Sequence, residues 1–324
     1  MAEFWRGRRV LLTGHTGFKG AWLGLWLKGL GADVTGYALA PSTQPNLWAF
    51  VTESIRSVIG DVRELQRLTH VVAQADPQIV IHMAAQALVG ESYLDPVGTF
   101  ATNVVGTAAL LQACRPLQHL QCIVVVTSDK VYENREQGRA FEESDPLGGH
   151  DPYSNSKACA ELLTRSFRDS FFPRGPPIAT VRAGNVIGGG DWSPHRIIPD
   201  CVRALASGTP VVLRYPDAIR PWQHVLEPLS GYLALAQGLV ERPQAMPSAV
   251  NFGPGPASFC TVREVVDAFG LRFKGRPGWT RDASEHAPEA QTLTLSSELA
   301  GRTLGWHPSL DLHETLSWTA DWYS

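Results

Sequence analysis

The stretch that decides the fold is TGHTGFKG, residues 13–20, which directly follows a short apolar run and opens a predicted helix. Its glycines, Gly14, Gly17 and Gly20, have the spacing GxxGxxG. Glycine permits a tight turn and lets the backbone approach a phosphate, and a helix start offers unpaired N–H groups with a partial positive charge. At a first strand–helix junction this pattern predicts a pyrophosphate-binding turn for a dinucleotide. The alternative is a glycine-rich turn without a ligand.

The rest of the first half alternates short apolar runs with helical patterns. The predicted strands cover residues 10–12, 34–37, 79–82, 123–127 and 178–181, with another ending at 58–59, and the longer predicted helices are 96–114 and 151–171. Continuous apolar strands that alternate with helices predict a parallel sheet covered on both faces. We therefore predict an α/β fold with a Rossmann-type, doubly wound parallel sheet.

The rhythm changes after about residue 182, where glycines and prolines separate shorter helices and short strands such as residues 211–213 and 249–252. We predict an NAD(P)-binding Rossmann domain over residues 1–182, with contributions from later segments. Residues 183–324 are predicted to form mainly a smaller, substrate-binding lobe that closes over the sheet.

Composition excludes several classes of protein. The 324 residues carry a formal net charge of −3, which argues against a nucleic-acid binder. We find no apolar run near the roughly 18–20 residues that span a bilayer, and no apolar signal region at the start, so we expect neither a membrane span nor secretion. Five scattered cysteines without a CxxC pair predict reduced thiols in a cytoplasmic protein. The dispersed histidines predict no metal site.

Tyr153 and Lys157 form a Tyr-x-x-x-Lys pair on a predicted helix. Residues four apart lie on one helix face, so both side chains can reach one site. Lys157 is then expected to lower the pKa of the Tyr153 phenol, which makes a plausible base for a substrate hydroxyl. The alternative is an exposed surface pair.

The sequence Thr127-Ser128-Asp129-Lys130 ends the fifth predicted strand. Ligands of doubly wound sheets bind beyond the carboxyl ends of the strands. Consecutive strand residues point to opposite faces, so Asp129 and Lys130 can face one substrate only where the chain is already leaving the sheet. A helix-initiating Asp beside a solvated Lys fits the residues equally well.

The whole chain resembles the CDP-glucose 4,6-dehydratases of the extended short-chain dehydrogenase/reductase family. The matching stretches are TGHTGFKGAWL (13–23), HMAAQALV (82–89), ESYLDP (91–96), TNVVGT (102–107), TSDKVYEN (127–134), DPLGGHDPYSNSKA (145–158), RAGNVIGGGDW (182–192), RPWQHVLEPLSGYL (220–233) and LGWHP (304–308). The Ser-Asp-Lys segment is specific to this subgroup. The related thymidine-sugar dehydratases carry Glu at the position of Lys130, and the 4-epimerases lack the acid of position 129.

The resemblance implies a site for each ligand. The implied catalytic residues are Ser128, Asp129, Lys130, Tyr153 and Lys157. The implied cofactor-binding residues are Gly14, Thr16, Gly17, Phe18, Lys19, Gly20, Asp61, Val62, Ala84, Ala85, Gln86, Thr127, Tyr153 and Lys157. The implied substrate-binding residues are Gln86, Ser128, Asn185, Ile198, Pro199, Arg214, Arg220 and His224. Residues 286–290 correspond to the base or pyrophosphate end of the substrate.

Two of these assignments have alternatives from the residues alone. Asp61 could be a helix N-cap, and Arg220 could form an interlobe salt bridge instead of holding a diphosphate. The cofactor is expected to be NAD. NADP stays possible, because the predicted second strand ends Gly36-Tyr37-Ala38 and has no acidic residue for an adenosine ribose.

The resemblance also implies a reaction, which is internal oxidation, elimination and reduction of a nucleotide sugar, and the expected substrate is CDP-glucose. Tyr153 takes the proton of the sugar C4 hydroxyl as hydride passes to the nicotinamide, with Ser128 and Lys157 in support. Lys130 is expected to remove the C5 proton, and Asp129 to protonate the departing C6 hydroxyl. The hydride then returns to C6, which gives CDP-4-keto-6-deoxyglucose.

Three other functions remain open from the sequence, namely another nucleotide-sugar 4,6-dehydratase, a 4-epimerase and a non-catalytic dinucleotide sensor. A sensor would be expected to lack Tyr153 or Lys157, and both are present. The resemblance further implies a homodimer through a four-helix contact that uses helices 96–114 and 151–171.

Overall fold

The computed structural model describes residues 1–273, 278–284 and 290–324. The first half alternates helices and strands. They are α1 (Ala2–Trp5), β1 (Arg9–Thr13), α2 (Phe18–Gly29), β2 (Asp33–Ala38), β3 (Arg56–Ile59), α3 (Leu65–Ala75), β4 (Ile79–His82), α4 (Val89–Leu94), α5 (Pro96–Phe100), α6 (Gly106–Cys114), β5 (Cys122–Val126), α7 (Pro152–Phe171) and β6 (Ile178–Ala183).

The second half has shorter elements. They are β7 (Val186–Ile187), α8 (Ile197–Ser207), β8 (Val211–Leu213), β9 (Ile219–Pro221), β10 (Gln223–His224), α9 (Leu226–Glu241), β11 (Ala249–Phe252), β12 (Phe259–Thr261), α10 (Val262–Gly270), β13 (Trp279–Arg281), α11 (Glu298–Leu304) and α12 (Leu312–Tyr323).

Over the described ranges, the main sheet has seven strands in the order β11-β6-β5-β4-β1-β2-β3. All of its strand pairs are parallel. The order changes direction between β1 and β4, which is the switch point where doubly wound sheets bind ligands. The predicted α/β fold with a doubly wound parallel sheet is confirmed.

The central strands are apolar without interruption because both faces of the sheet are covered. Along β5, Cys122, Val124 and Val126 pack into one core cluster, whereas Ile123 and Val125 pack into the other. Alternate strand residues point to opposite faces, so each face receives half of the apolar side chains. Helices α2 and α9 cover the first face, and α3 and α6 cover the second.

One strand of the main sheet and one helix that packs on it come from beyond residue 182. Strand β11 pairs with β6 from Ala249↔Thr180 to Phe252↔Ala183, and α9 packs on β5. The sequence analysis assigned the strand at residues 249–252 to the smaller lobe, and this is a correction. The apolar run alone cannot tell which sheet a strand joins. The boundary at residue 182 stays a prediction.

A separate apolar cluster forms the interior of the smaller lobe. It brings together residues of α8, α10 and α12 with the short parallel pair of β8 and β13, among them Ile198, Leu213, Phe269 and Leu316. The chain between β6 and α8 leads from the carboxyl end of β6, at the edge of the main sheet where the ligand site is predicted, into this lobe.

Within the described residues, one helical run, Pro96–Cys114, is long and apolar enough by length and composition to cross a membrane. It consists of α5, a π-helical turn (Ala101–Val105) and α6. The sequence analysis expected no apolar run near that length, and this expectation was wrong. Half of the run is buried inside the protein, where it contacts α3 and α7. Core helices of globular proteins meet the same two criteria.

Candidate active site

The glycine turn after β1 is shaped to receive a phosphate. Gly14 has a φ of 76°, and a Cβ added there would lie 2.7 Å from the backbone nitrogen of Ala84. A Cβ on Gly20 would lie 2.0 Å from the carbonyl oxygen of Gly14. Gly17 precedes α2 without a side-chain cap, so the first N–H groups of the helix are not covered by a capping side chain. The residues therefore fit a dinucleotide pyrophosphate.

The hydroxyl of Thr13 braces this turn against the next strand. Its oxygen accepts hydrogen bonds from the backbone nitrogens of Met83 and Ala84, both at 3.1 Å. It therefore donates its own proton to Nδ1 of His82, at 2.7 Å. The turn after β1 and the segment after β4 are thus held at a fixed separation beneath the predicted cofactor.

A buried histidine of the turn after β1 lies beside the end of β2, which carries no acidic residue at Gly36–Ala38. His15 lies against Gly36, because a Cβ there would be 2.3 Å from its ring, and its Nε2 is 2.7 Å from the Ser57 hydroxyl. Burial lowers the pKa of His15 to about 4. Thr16 is buried, and its hydroxyl donates to the carbonyl oxygen of Leu39 at 2.8 Å.

Asp61 and Val62 follow β3. The Asp61 carboxylate pairs with Arg63 at 2.6 Å and accepts the backbone N–H of Arg63 at 2.9 Å, and this guanidinium lowers the pKa of Asp61. Helix α3 begins four residues after Asp61, with Glu64 at its N-cap, so Asp61 does not cap that helix. Val62 packs against Gly106.

Ala84, Ala85 and Gln86 lie half-buried at the carboxyl end of β4. The side chain of Gln86 is engaged within the protein. Its Oε1 accepts the N–H of Leu88 at 2.5 Å, and its Nε2 donates to the hydroxyl of Thr99 at 2.9 Å. A ligand contact by Gln86 would therefore use its backbone or require this side chain to turn.

The chain leaves the sheet directly after β5, as a shared role for Asp129 and Lys130 requires. Residues Asp129–Val131 form a single 3₁₀ turn. Ser128 caps it, because its hydroxyl oxygen accepts the Lys130 N–H at 3.2 Å and its proton goes to Oδ1 of Asp129 at 3.0 Å. We call residues 128–131 the acid–base turn.

Asp129 is a buried carboxyl group that is 3% exposed. Its Oδ2 has no hydrogen-bond partner among the described residues, and a Cβ on Gly184 would lie 2.9 Å from it. Burial raises the pKa of Asp129, and the charges of Lys130, Arg220 and Lys19 oppose this shift. A protonated carboxyl with an unused oxygen can donate a proton to a substrate.

Helix α7 presents Tyr153 and Lys157 to the same edge of the sheet, and both are buried. Its start is fixed by Asp151, which caps it, and by Pro152 in its first turn. Nζ of Lys157 donates to the carbonyl oxygen of Val126 at 3.2 Å. Burial lowers the pKa of Lys157 to about 8, against the charge of Glu161.

The expected effect of Lys157 on Tyr153 is not what the structure shows. Burial raises the pKa of Tyr153, and a hydrogen bond with Ser128 and the charge of Arg196 only partly oppose it. The free-energy cost of desolvating the phenolate is larger than the stabilisation that the neighbouring cations provide, so the net effect is a raised pKa.

Five cationic side chains surround the buried acid and phenol. They are Lys19, Lys130, Lys157, Arg196 and Arg220. Arg196 was missed from the sequence. It precedes α8 and pairs with the buried Asp191 at 3.3 Å. The only sequence signal was its position two residues before Ile198, which was assigned to the substrate. This concentration of positive charge suits two ligands that each carry a diphosphate.

The remaining predicted residues lie around this centre to different degrees. Arg220, on β9, is buried and donates to the carbonyl oxygens of Ile219 at 2.9 Å and Gln291 at 3.3 Å. Asn185 is half-buried in the loop after β6. Arg214 is exposed, and its Nη2 donates to the carbonyl oxygen of His195 at 3.4 Å.

Four predicted residues have no polar contact to the acid or the phenol among the contacts described. Ile198 and Pro199 are buried in the first turn of α8, and Phe18 lies beside Gly188. His224 is buried 5.7 Å from the ring of Trp318, and burial lowers its pKa to about 4. Its Nδ1 accepts the N–H of Leu226 at 3.4 Å, and its assignment to the substrate stays a prediction. Residues 286–289 lie outside the described residues.

The chain matches a protein-family model over residues 10–251, that of the NAD dependent epimerase/dehydratase family. The chain belongs to this family. It is 46% identical over 329 aligned residues to a CDP-glucose 4,6-dehydratase of Salmonella typhimurium, with 99% of this chain and 92% of the relative covered. The resemblance inferred from the motifs is therefore confirmed.

Two solved structures share the fold. An epimerase of Methanothermobacter thermautotrophicus has a TM-score of 0.86 at 24% identity, covering 100% of this chain and 94% of that one. A dTDP-glucose 4,6-dehydratase of Bacillus anthracis in complex with NAD has a TM-score of 0.81 at 22% identity, covering 97% and 96%. The roles of individual site residues stay proposals.

Proposed function

We propose that this protein is an NAD-dependent CDP-glucose 4,6-dehydratase, a hydro-lyase that forms CDP-4-keto-6-deoxyglucose. One observation carries the proposal. At the carboxyl edge of the sheet the acid–base turn places the buried carboxyl of Asp129 beside Lys130, next to Tyr153 and Lys157. The 46% identity to a CDP-glucose 4,6-dehydratase over nearly the whole chain supports it.

Bound NAD would supply a hydride acceptor that later returns the same hydride. Gly14, Gly17 and Gly20 would hold its pyrophosphate. Tyr153 would take the proton of the C4 hydroxyl, and the positive charge of Lys157 would stabilise the phenolate. Ser128 would support this step by turning its hydroxyl proton from Asp129 to the phenolate. The resulting C4 ketone would make the C5 proton acidic.

Elimination would then use the acid–base turn. Lys130, neutral at that moment, would remove the C5 proton, and Asp129 would donate its proton to the C6 hydroxyl as water leaves. The raised pKa of Asp129 favours the protonated form that this step needs. Hydride would return to C6, and protonated Lys130 would return its proton to C5. The proton that Tyr153 took from the C4 hydroxyl would pass through the Ser128 hydroxyl to Asp129, which restores all three side chains.

We propose NAD rather than NADP as the cofactor. A 2′-phosphate would require a cation near the end of β2. His15 is uncharged near neutral pH because burial lowers its pKa to about 4, and Arg63 is already paired with Asp61. Comparative titration of the purified protein with NAD and NADP would test this.

The second candidate is a 4-epimerase, since the chain is also 27% identical to a UDP-glucose 4-epimerase of Rhizobium meliloti over 82% of its length. That reaction removes no water, so it has no use for an acid and a base beside C5 and C6. The acid–base turn therefore favours the dehydratase.

A panel of nucleotide-diphosphate glucoses, with and without added NAD, tests the proposal. We expect CDP-glucose to give a 4-keto product, detected by its chromophore in alkali, at a higher kcat/KM than the other nucleotides. Conversion to a C4 epimer without loss of water would refute the dehydratase.

In the Lys130→Ala variant we expect C4 oxidation to persist and water loss to stop. Full formation of the keto product by this variant would reject the role of Lys130.

We also propose that the protein is a homodimer that acts in the cytoplasm. The surface beside α5 and the π-helical turn has a hollow with an apolar lining, which we call the apolar hollow. It is lined by Pro96, Val97, Phe100, Ala101, Val104 and Val105. Leu94, just before it, and Leu162 on α7 are also exposed. A second copy would cover this surface. The unpaired cysteines agree with a reducing compartment.

A further inference from the structure

A buried ion pair lies directly behind the acid–base turn. Glu161, on α7 one turn after Lys157, and Arg182, on β6, are 5% and 3% exposed. They form a two-pronged pair, with Arg182 Nη2 2.8 Å from Oε2 of Glu161 and Arg182 Nε 2.9 Å from Oε1. The pair joins the helix that carries Tyr153 to the strand beside β5.

Both ends of the acid–base turn are tied to this one pair. Thr127, directly before the turn, donates its hydroxyl proton to Oε1 of Glu161 at 2.5 Å. Tyr132, directly after the turn, accepts a hydrogen bond from Nη1 of Arg182 at 2.8 Å. The residues on either side of the acid–base turn are therefore both tied to the buried ion pair. The hydroxyl of Thr127 bonds to its carboxylate, and the hydroxyl of Tyr132 bonds to its guanidinium.

The surrounding contacts prevent these tethers from moving freely. The hydroxyl of Tyr132 donates to Oδ1 of Asn251 on β11 at 2.6 Å, and its ring stacks on Phe141 with centroids 4.8 Å apart. The other oxygen of Glu161 accepts the hydroxyl proton of Thr180 at 2.7 Å. The carboxylate thus fixes β5, β6 and α7 relative to one another.

A buried ion pair is a weak source of net stability, because desolvation of both charges offsets their attraction. Its geometry has a clearer use. The reaction needs Tyr153 at C4 and the acid–base pair at C5 and C6, which are adjacent atoms of one sugar. Tyr153 is on α7, whereas Asp129 and Lys130 are on the acid–base turn after β5. The distance between these two elements must therefore stay fixed. A shift of about 1 Å can cost about 100-fold in rate.

We propose that the Glu161–Arg182 pair, through Thr127 and Tyr132, positions the acid–base turn against Tyr153 and so sets the rate of water loss. This inference rests on the proposed function, because it assigns separate steps to the two elements. Glu161, Arg182, Thr127 and Tyr132 are positioning residues in this scheme. Tyr153 and Lys157, which act at C4, lie on α7, and of the acid–base turn only Ser128 supports that step. Loosening the turn would therefore slow elimination more than oxidation.

Thr127→Val and Tyr132→Phe test this, since each removes one tether and leaves the ion pair in place. We expect kcat for the keto product to fall by roughly 10- to 100-fold in each variant, with KM changed by less than about twofold. Reduced nicotinamide should accumulate during turnover and be visible by its absorbance. Thr127→Ser, which restores the hydroxyl group, should recover most of kcat.

Thr164→Val is the matched control. Thr164 is also buried on α7, and its hydroxyl bonds to the carbonyl oxygen of Ala160 at 2.7 Å within the helix. We expect it to lower the thermal midpoint without changing kcat. Wild-type kcat in Thr127→Val and Tyr132→Phe, or a rise in KM with kcat intact, would overturn the inference.

A substrate-free measurement separates this inference from the proposed function. Amide hydrogen exchange reports whether residues 128–131 are held, whatever the substrate is. We expect faster exchange there in Thr127→Val and Tyr132→Phe but not in Thr164→Val. Should the wild type convert no nucleotide sugar, the proposed function fails, and unchanged exchange at the turn would then overturn the positioning role as well.

Discussion

The carboxyl group of Asp129 shows how position changes the chemistry of a residue. In water an aspartate is ionised at neutral pH and is a poor acid. Here Gly184 and strand β9 enclose it, and burial raises its pKa in spite of three nearby cations. The protonated form that elimination requires is thus favoured by the fold.

Asp129→Asn tests that role because it keeps the size of the side chain and removes the transferable proton. We expect kcat for the keto product to fall by at least about 100-fold, with reduced nicotinamide formed and not reoxidised. Single-turnover absorbance with CDP-glucose measures both. Asp145→Asn, at a surface ion pair with Arg139, is the control and should turn over normally. Product formation by Asp129→Asn at the wild-type rate would exclude Asp129 as the acid.

At the scale of elements, the glycine turn depends on the close approach of two backbone segments. The first turn of α2 passes so near to the end of β1 that the position of Gly20 has no room for a side chain. The same helix ends at Gly29, where a Cβ would meet no described atom within 4 Å. One helix thus offers a constrained and an unconstrained glycine.

Replacing these two glycines by alanine should have opposite effects. We expect Gly20→Ala to weaken NAD binding at least about tenfold and to destabilise the fold by about 1–3 kcal/mol, since the added carbon would displace the turn. Gly29→Ala should leave NAD binding unchanged and stabilise the protein by up to about 1 kcal/mol through helix propensity. Calorimetric titration and chemical unfolding measure the two quantities. Unchanged NAD affinity in Gly20→Ala would contradict the phosphate-binding assignment.

At the scale of the whole molecule, the apolar hollow beside α5 should be covered by a second copy. Val97 is 78% exposed within it. We expect Val97→Asp to weaken dimerisation by roughly 100-fold, because the interface would bury an unpaired charge. Sedimentation equilibrium measures this. Val212→Asp changes a valine that is 58% exposed on β8, far from the hollow in sequence, and should leave the assembly unchanged. A wild-type monomer at micromolar concentration would refute the dimer.

Stability should decline on mild acidification. His15, His82 and His224 are buried and uncharged, with pKa values lowered by burial to about 4, 3 and 4 from 6.5. The unfolded chain binds a proton at each below about pH 6.5, whereas the folded protein does not. Stability is therefore complete above that pH and is lost as the pH falls, by up to about 1.4 kcal/mol per pH unit for each histidine.

Chemical unfolding between about pH 7 and pH 5 measures this slope. The His82→Asn variant should show a shallower slope than the wild type, because one of the three buried histidines is gone. His70→Asn, at an exposed position on α3, should keep the wild-type slope. Equal slopes in the wild type and His82→Asn would show that His82 does not contribute to acid sensitivity.

Local spacing in the sequence determined the features that one element can specify by itself. The glycine spacing before α2 predicted a phosphate turn, and the Tyr153–Lys157 spacing predicted a shared helix face. The uninterrupted apolar runs predicted strands that are buried on both faces, since alternate residues of such a strand must enter two cores. Motif resemblance then supplied the family, which the comparisons confirmed.

Only the tertiary structure decided how distant elements meet. It placed α9 and β11 on the main sheet, brought Arg196 from the smaller lobe toward Tyr153, and joined Glu161 to Arg182. It also reversed the expected pKa shift of Tyr153. The physical reason is that desolvation and long-range pairing depend on what packs around a group, and the side-chain spacing within one element carries no information about that packing.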